Sequence, residues 1–341
     1  MKIHRVFLSI TVIAAISAAS AVAVKPMPAS ADEIKLAHFM SPKHPMDRFI
    51  MRPWSDEIAK MSGGSMTVRI YPGGALGKGP VAQFKRAVDG VADVTFGLPG
   101  FTSRLFPRTG MIELPGIAID AIDGANKLWN AFDLLAPEWK RVEVLALWVN
   151  ERQVLMTKNN PIRKIADMKD LKFRVPSKAQ GKTIRALGAV PVFMPINRVY
   201  NALNTGVIDG VLTGPSTIRS FKFAEVAKYF TEGLPLGRSP FFLVMNKRSF
   251  SKLSKTHQDL VVKTTGREMS IRASKFYMQA GKISLDKVRK TDKHEVITLT
   301  GSALQDGVSK LMASRAREVE ELEKKGVPAK AILKAMFVPS N

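Results

Sequence analysis

From Asp32 onward, apolar runs of strand length alternate with stretches of helical period, and no other feature limits the fold so tightly. Residues 34–37, Met66–Tyr71 and 92–97 read as strands. Between the first two, residues 54–61 end a helix that Gly63-Gly64 stops. Between the second and third, Gly79-Pro80 opens a helix with proline at its first position. Val81, Phe84 and Val88 form its apolar stripe, and Gly90 lies just past its end. Strand–helix–strand units of this length call for a mostly parallel sheet flanked by helices, the α/β class.

A second block of the same kind begins near Val142. Residues 144–149, Val154–Thr157, 171–175, 190–194 and 208–212 read as strands. Ser177 and Gln180 form an S-x-x-Q capping box for a helix reaching Leu187, and Asn197 caps a helix carrying Val199 and Leu203. Residues 241–245 read as a strand returning to the first block. Residues 256–290 hold a proline-free helical pattern long enough to run along two lobes. A strand at 295–299 precedes an amphipathic helix marked by Leu304, Val308, Leu311, Val319 and Leu322, which Gly326 ends. Pro328 starts the last helix.

The first 31 residues stand outside this pattern. Met1 to Arg5 is basic, residues 6–24 carry no charge, and Ala29-Ser30-Ala31 is a small-residue cleavage site, so the segment reads as a removed signal peptide. A membrane anchor is the competing reading, since the run approaches spanning length. Cleavage leaves 310 residues, about two domains. With no cysteine there is neither a lipid-anchor site nor a disulfide.

The net charge is +23, and without Lys2, Arg5 and Lys25 of the leader it is +20. Such a charge attracts anions in general. The basic residues are nonetheless scattered and adjoin acids, without the interleaved aromatics of a nucleic-acid groove, so nucleic acid is not an expected partner.

Enzymatic constellations are missing from the sequence. The histidines after the leader, His38, His44, His257 and His294, form no H-x-x-x-H pair, and no G-x-S-x-G elbow or Walker loop occurs. Neither a metal nor a cofactor is expected, and the chain is not read as an enzyme. Gly73-Gly74 with Gly77 and Gly79 matches a phosphate cradle only loosely. Arg174 stands out instead. It lies near the carboxyl end of a buried strand, where ligands of open α/β sheets collect, with a helix N-terminus beginning at Ser177 beside it. An arginine there holds a carboxylate through two parallel hydrogen bonds. Reaching solvent, or pairing with Asp167 or Asp170, would explain it equally well.

The order and spacing of several short segments resemble one family. They are Tyr71 to Gly77, Val88 to Asp93, Glu113-Leu114-Pro115, Asp167 to Pro176, Leu187 to Val192, Val199 to Leu203 and Gly206 to Gly210. Together they resemble the periplasmic solute-binding proteins of tripartite ATP-independent periplasmic (TRAP) transporters, the DctP type. That resemblance implies two lobes joined by a hinge, a long helix crossing both, and a ligand in the cleft. It divides the chain into a first lobe, 32–150 plus about 237–270, and a second, 151–236 plus about 271–341. The implied function is periplasmic capture of a small organic acid by a monomer. Delivery would be by transient contact with the transporter's membrane subunits.

The resemblance also assigns residues. Arg174 matches the family's carboxylate-binding arginine, and Arg152 matches a second polar position that often meets ligand, although a hinge pairing with Glu151 also suits it. The chain departs from the pattern after Asp209-Gly210, where no carboxylate follows to hold a metal. Thr213 and Ser216 offer hydrogen bonds there, while Gly214-Pro215 equally suits a plain turn. Phe39, Phe101 and Phe241 are candidates for an apolar or aromatic wall, which would favour an aromatic or branched carboxylate, or else they are ordinary packing. His38 is a weaker candidate, with a structural role as its alternative. Two further readings stay open: a ligand sensor without a transporter, and an exported basic protein that binds anionic polymer or membrane surface.

Overall fold

A computed structural model describes residues 32–338, so the leader lies outside the described residues. The strands are β1 (Asp32–Ala37), β2 (Met66–Tyr71), β3 (Val94–Gly97), β4 (Val142–Val149), β5 (Val154–Thr157) and β6 (Lys172–Val175). They continue with β7 (Val190–Phe193), β8 (Gly210–Thr213), β9 (Tyr229–Glu232), β10 (Pro240–Asn246) and β11 (Glu295–Thr298). They form two sheets, ordered β2-β1-β3-β10-β4 and β11-β9-β5-β8-β6-β7. Each sheet is the centre of one lobe.

Both sheets bury both faces, which is why their central strands are continuous apolar runs. In β10, Phe241, Leu243 and Met245 join one core while Phe242 and Val244 join the other, the alternation a pleated strand imposes. In β5, Val154 and Met156 face one core and Leu155 the opposite one. Parallel pairing holds wherever a helix links neighbours, as in β1 with β2 and β6 with β7. The antiparallel members are β4, β5 and β10, the strands next to the crossings between lobes. The chain crosses first between β4 and β5 and again between β9 and β10.

The third crossing is helical. The pattern at 256–290 is two helices, Lys255–Thr264 and Gly266–Arg289, broken where Gly266 takes a φ of +74°. The second helix, about 36 Å long at 1.5 Å per residue, packs on the helix Ala121–Asn130 and β4 of the first lobe. It also packs on the helix Ser216–Ser220 and β11 of the second.

Four readings need correction. The last helix, Ala329–Met336, belongs to the first lobe rather than the second, because Ile332 and Met336 pack in one core with Ile112, Leu128 and Phe242. β9 had no counterpart among the expected strands: it is four residues long with polar neighbours, and pairing with β5 and β11 creates it. Asn197 caps nothing, since it sits inside the short turn Ile196–Arg198. The helix expected from Pro80 begins only at Gln83, leaving Val81 exposed. The preceding glycine-rich loop is folded around Arg86, whose guanidinium donates to the carbonyls of Lys78 and Gly79. A Cβ on Gly77 would lie 2.6 Å from Arg86 Nε. The loop's glycines thus serve an arginine, not a phosphate.

Candidate ligand-binding site

Arg174 is placed by β6, which pairs it with Val192 of β7 and Val211 of β8. The strand's carboxyl end opens toward the first lobe, and Ser177 there caps the helix Lys178–Ala186 by accepting the Gln180 N–H. The Arg174 side chain is buried, and its Nε donates to the Met194 carbonyl at 2.9 Å. Neither local acid reaches it. Asp167 accepts the N–H groups of Arg163 and Lys164, and Asp170 sits in a left-handed turn, its N–H donating to Gly188. Burial alone pulls the guanidinium down to about 9. A buried cation without a counter-charge is costly, and the rest of its N–H fork has no partner among the described residues.

The fork faces a cavity between the lobes, where about 530 Å³ of space, open solvent included, is free of atoms. Only about 50 Å³ of it is open to the centre of a water-sized sphere, so it is narrow. The first lobe supplies an aromatic wall. Phe96 stacks with Phe39 at 5.7 Å and with Phe241 at 5.5 Å, and Phe241 stacks in turn on Tyr277 of the long helix at 5.0 Å. Phe101 lines the same space. The second lobe supplies Arg174, Thr213, Ser216 and Phe221. Among the described residues, no carboxylate lines the cavity.

Six of the eight candidates therefore meet at one place: Arg174, Phe39, Phe101, Thr213, Ser216 and Phe241. His38 does not. It is fully buried, bonded through Nε2 to Asp47 at 3.1 Å, and Asp47 in turn pairs with Arg52 at 2.6 Å. Its burial holds the ring below the usual histidine range. Arg152 does not line the cavity either. It is exposed on a separate hinge groove, with Glu232, Arg238 and Lys282. Nor does Arg152 pair with Glu151, whose carboxylate accepts the Ser216 N–H at 2.6 Å.

Glu151 is the knot of the hinge. A Cβ on Gly214 would lie 2.5 Å from its Oε1, and one on Gly281, in the long helix, 2.6 Å from its Cγ. Burial pushes its carboxyl up to about 7. Arg238 braces the second crossing by donating to the carbonyls of Ala118, Ile119 and Asn150.

The cavity also contains residues that were not candidates. Asn150 and Ser239 are polar residues at the two strand crossings, immediately abutting β4 and β10, and that position was the signal available. His44 lies in a turn after β1. Its Nδ1 accepts the Met46 N–H, which places the ring proton on Nε2, and its edge meets Phe221 at 5.8 Å. Burial, reinforced by His38, pushes it down to about 3, so the ring is neutral. Tyr277 follows the helical apolar period and gives no sign of facing a ligand.

Residues 36–320 match the family described as bacterial extracellular solute-binding protein, family 7, the DctP type. The chain belongs to this family. Among solved structures, a TRAP solute-binding protein of Rhodoferax ferrireducens, in complex with copurified benzoate, is 28% identical. Its TM-score is 0.85, over 89% of this chain and 96% of that one. A marine-metagenome TRAP solute-binding protein specific for aromatic acid ligands, in complex with 3-hydroxybenzoate, is 27% identical. Its TM-score is 0.84, over 90% and 97%. A curated solute-binding protein of Albidiferax ferrireducens is 28% identical over 64% of this chain. That match spans 66% of the relative's length, just under two thirds. The two-lobe α/β fold is that of the family. Family members are solute-binding proteins of transport systems, not enzymes.

Proposed function

We propose that this protein captures a small aromatic monocarboxylate in the interlobe cavity and delivers it, from the periplasm, to a TRAP-type transporter. The observation that carries this reading is Arg174: a buried guanidinium with free donors and no acid beside it, facing a cavity without carboxylates. An anionic ligand supplies the missing charge. A carboxylate matches the planar fork with two bonds, and the ring of an aromatic acid fills the space between Phe39, Phe101 and Phe241. Benzoate and 3-hydroxybenzoate in the related proteins agree in chemistry with these walls. Ligand favours the closed arrangement only through contacts made to both lobes, and here each lobe holds a different part of the molecule. Export follows from the leader's sequence, and among the described residues no helix is long and apolar enough to cross a membrane. We further propose that the protein acts as a monomer and meets the membrane subunits transiently.

The test is a thermal-shift screen of the chain from Asp32 against benzoate, 3-hydroxybenzoate, mandelate, succinate and galacturonate. Ligand at 100 times its dissociation constant adds about 2.7 kcal/mol, a rise of several degrees. Shifts confined to the aromatic monocarboxylates support the reading. A shift with succinate or galacturonate alone would refute the aromatic assignment, and no shift with any acid would refute carboxylate capture.

A further inference from the structure

Ser239 sits at the second crossing with its position fixed from both sides. Its N–H donates to Asn150 Oδ1 at 2.7 Å, and its carbonyl accepts the Asn150 N–H at 3.1 Å. Its hydroxyl oxygen accepts two bonds, from Gln153 Nε2 at 3.1 Å and Gln180 Nε2 at 2.8 Å. A serine hydroxyl has two lone pairs and one proton. Both lone pairs are occupied, so the proton is left to donate, and no protein acceptor meets it among the described residues. Ser239 lines the same cavity as Arg174.

Behind Gln180 lies Glu113, fully enclosed at the end of the first lobe's turn Thr109–Glu113. It accepts the Ser177 hydroxyl across the cleft and is within hydrogen-bonding reach of Gln180. Gln180 Oε1 is buried without a donor.

We propose that Ser239 is a second carboxylate-binding group, and that its O–H is turned into the cavity because the amide donors of Gln153 and Gln180 occupy its lone pairs. The proposal rests on the capture of an acid at Arg174.

Burial pushes Glu113 up to about 8, outweighing the bonds from Ser177 and Gln180. The charged groups lining the groove over it are Arg104, Lys178, Lys182, Glu318, Glu321 and Lys325. Lys182 is already paired with Glu318 and Glu321.

Benzoate titration calorimetry on wild type, Ser239→Ala and Ser239→Cys tests this. Ser239→Ala should weaken binding by roughly ten- to a hundredfold, the worth of a hydrogen bond to a charged group. Ser239→Cys, a weaker donor of similar shape, should fall between wild type and the alanine variant and serves if the latter is unstable. Wild-type affinity in both Ser239 variants would overturn the proposal. Wild type that binds no acid would sink the capture reading together with this one, whereas an unaffected Ser239→Ala beside a tight wild type sinks only this.

Discussion

The two walls of the cavity are built in opposite ways. The first lobe's wall is an outcrop of its core: Phe96 and Phe241 belong to the same packed cluster as Trp54, Val94 and Leu243, with Phe39 packed against it. The second lobe's wall is formed by strand and helix ends. Arg174 and Thr213 lie at the carboxyl ends of β6 and β8, and Ser216 begins a short helix held by Glu151. One wall is therefore part of a packed core, while the other buries a charge that no described residue neutralises. On the function proposed above, the difference teaches where selectivity and stability part: shape is read by groups that also hold the fold, charge by a group that burdens it.

Substitutions on each wall can break that contrast. Phe241→Ala should cost about 3–5 kcal/mol of stability, the range for removing a buried aromatic ring, and should weaken benzoate binding as well. Thermal unfolding without ligand measures the first effect. Arg174→Met should cost about 2–5 kcal/mol of binding energy, yet leave the unliganded melting temperature unchanged or higher, because it removes an uncompensated buried cation. A large loss of stability in Arg174→Met would erase the distinction between the walls. Thr213→Val keeps the shape of the side chain and should cost about 1 kcal/mol of affinity if its hydroxyl bonds the ligand. Arg152→Ala should change benzoate affinity hardly at all, and stability by no more than about 0.5 kcal/mol, as for an exposed side chain.

The fold and half of the site were legible because they depend on local pattern. Strand–helix alternation places β1 to β8, and the end of β6 is where a ligand-binding arginine belongs. The fold-level misses arose where tertiary contact decides. β9 exists because β5 and β11 flank it, and the last helix is claimed by the first lobe's core. The site-level misses have the same cause. His38 and His44 are six residues apart after one strand, yet Asp47 claims the first and the cavity receives the second. Arg152 and Ser239 both lie at lobe crossings, and only the path of the backbone there decides which one meets the cavity. A hydroxyl's direction is further from sequence still, since Ser239 is aimed by glutamines 86 and 59 residues away.

The most direct test of the account is a crystal structure of the chain from Asp32 with benzoate. It should show the ring between Phe39, Phe101 and Phe241, with both carboxylate oxygens about 2.7–2.9 Å from Arg174 nitrogens, as in bidentate pairs. Benzoate with its carboxylate turned away from Arg174, or seated outside the interlobe cavity, would contradict it.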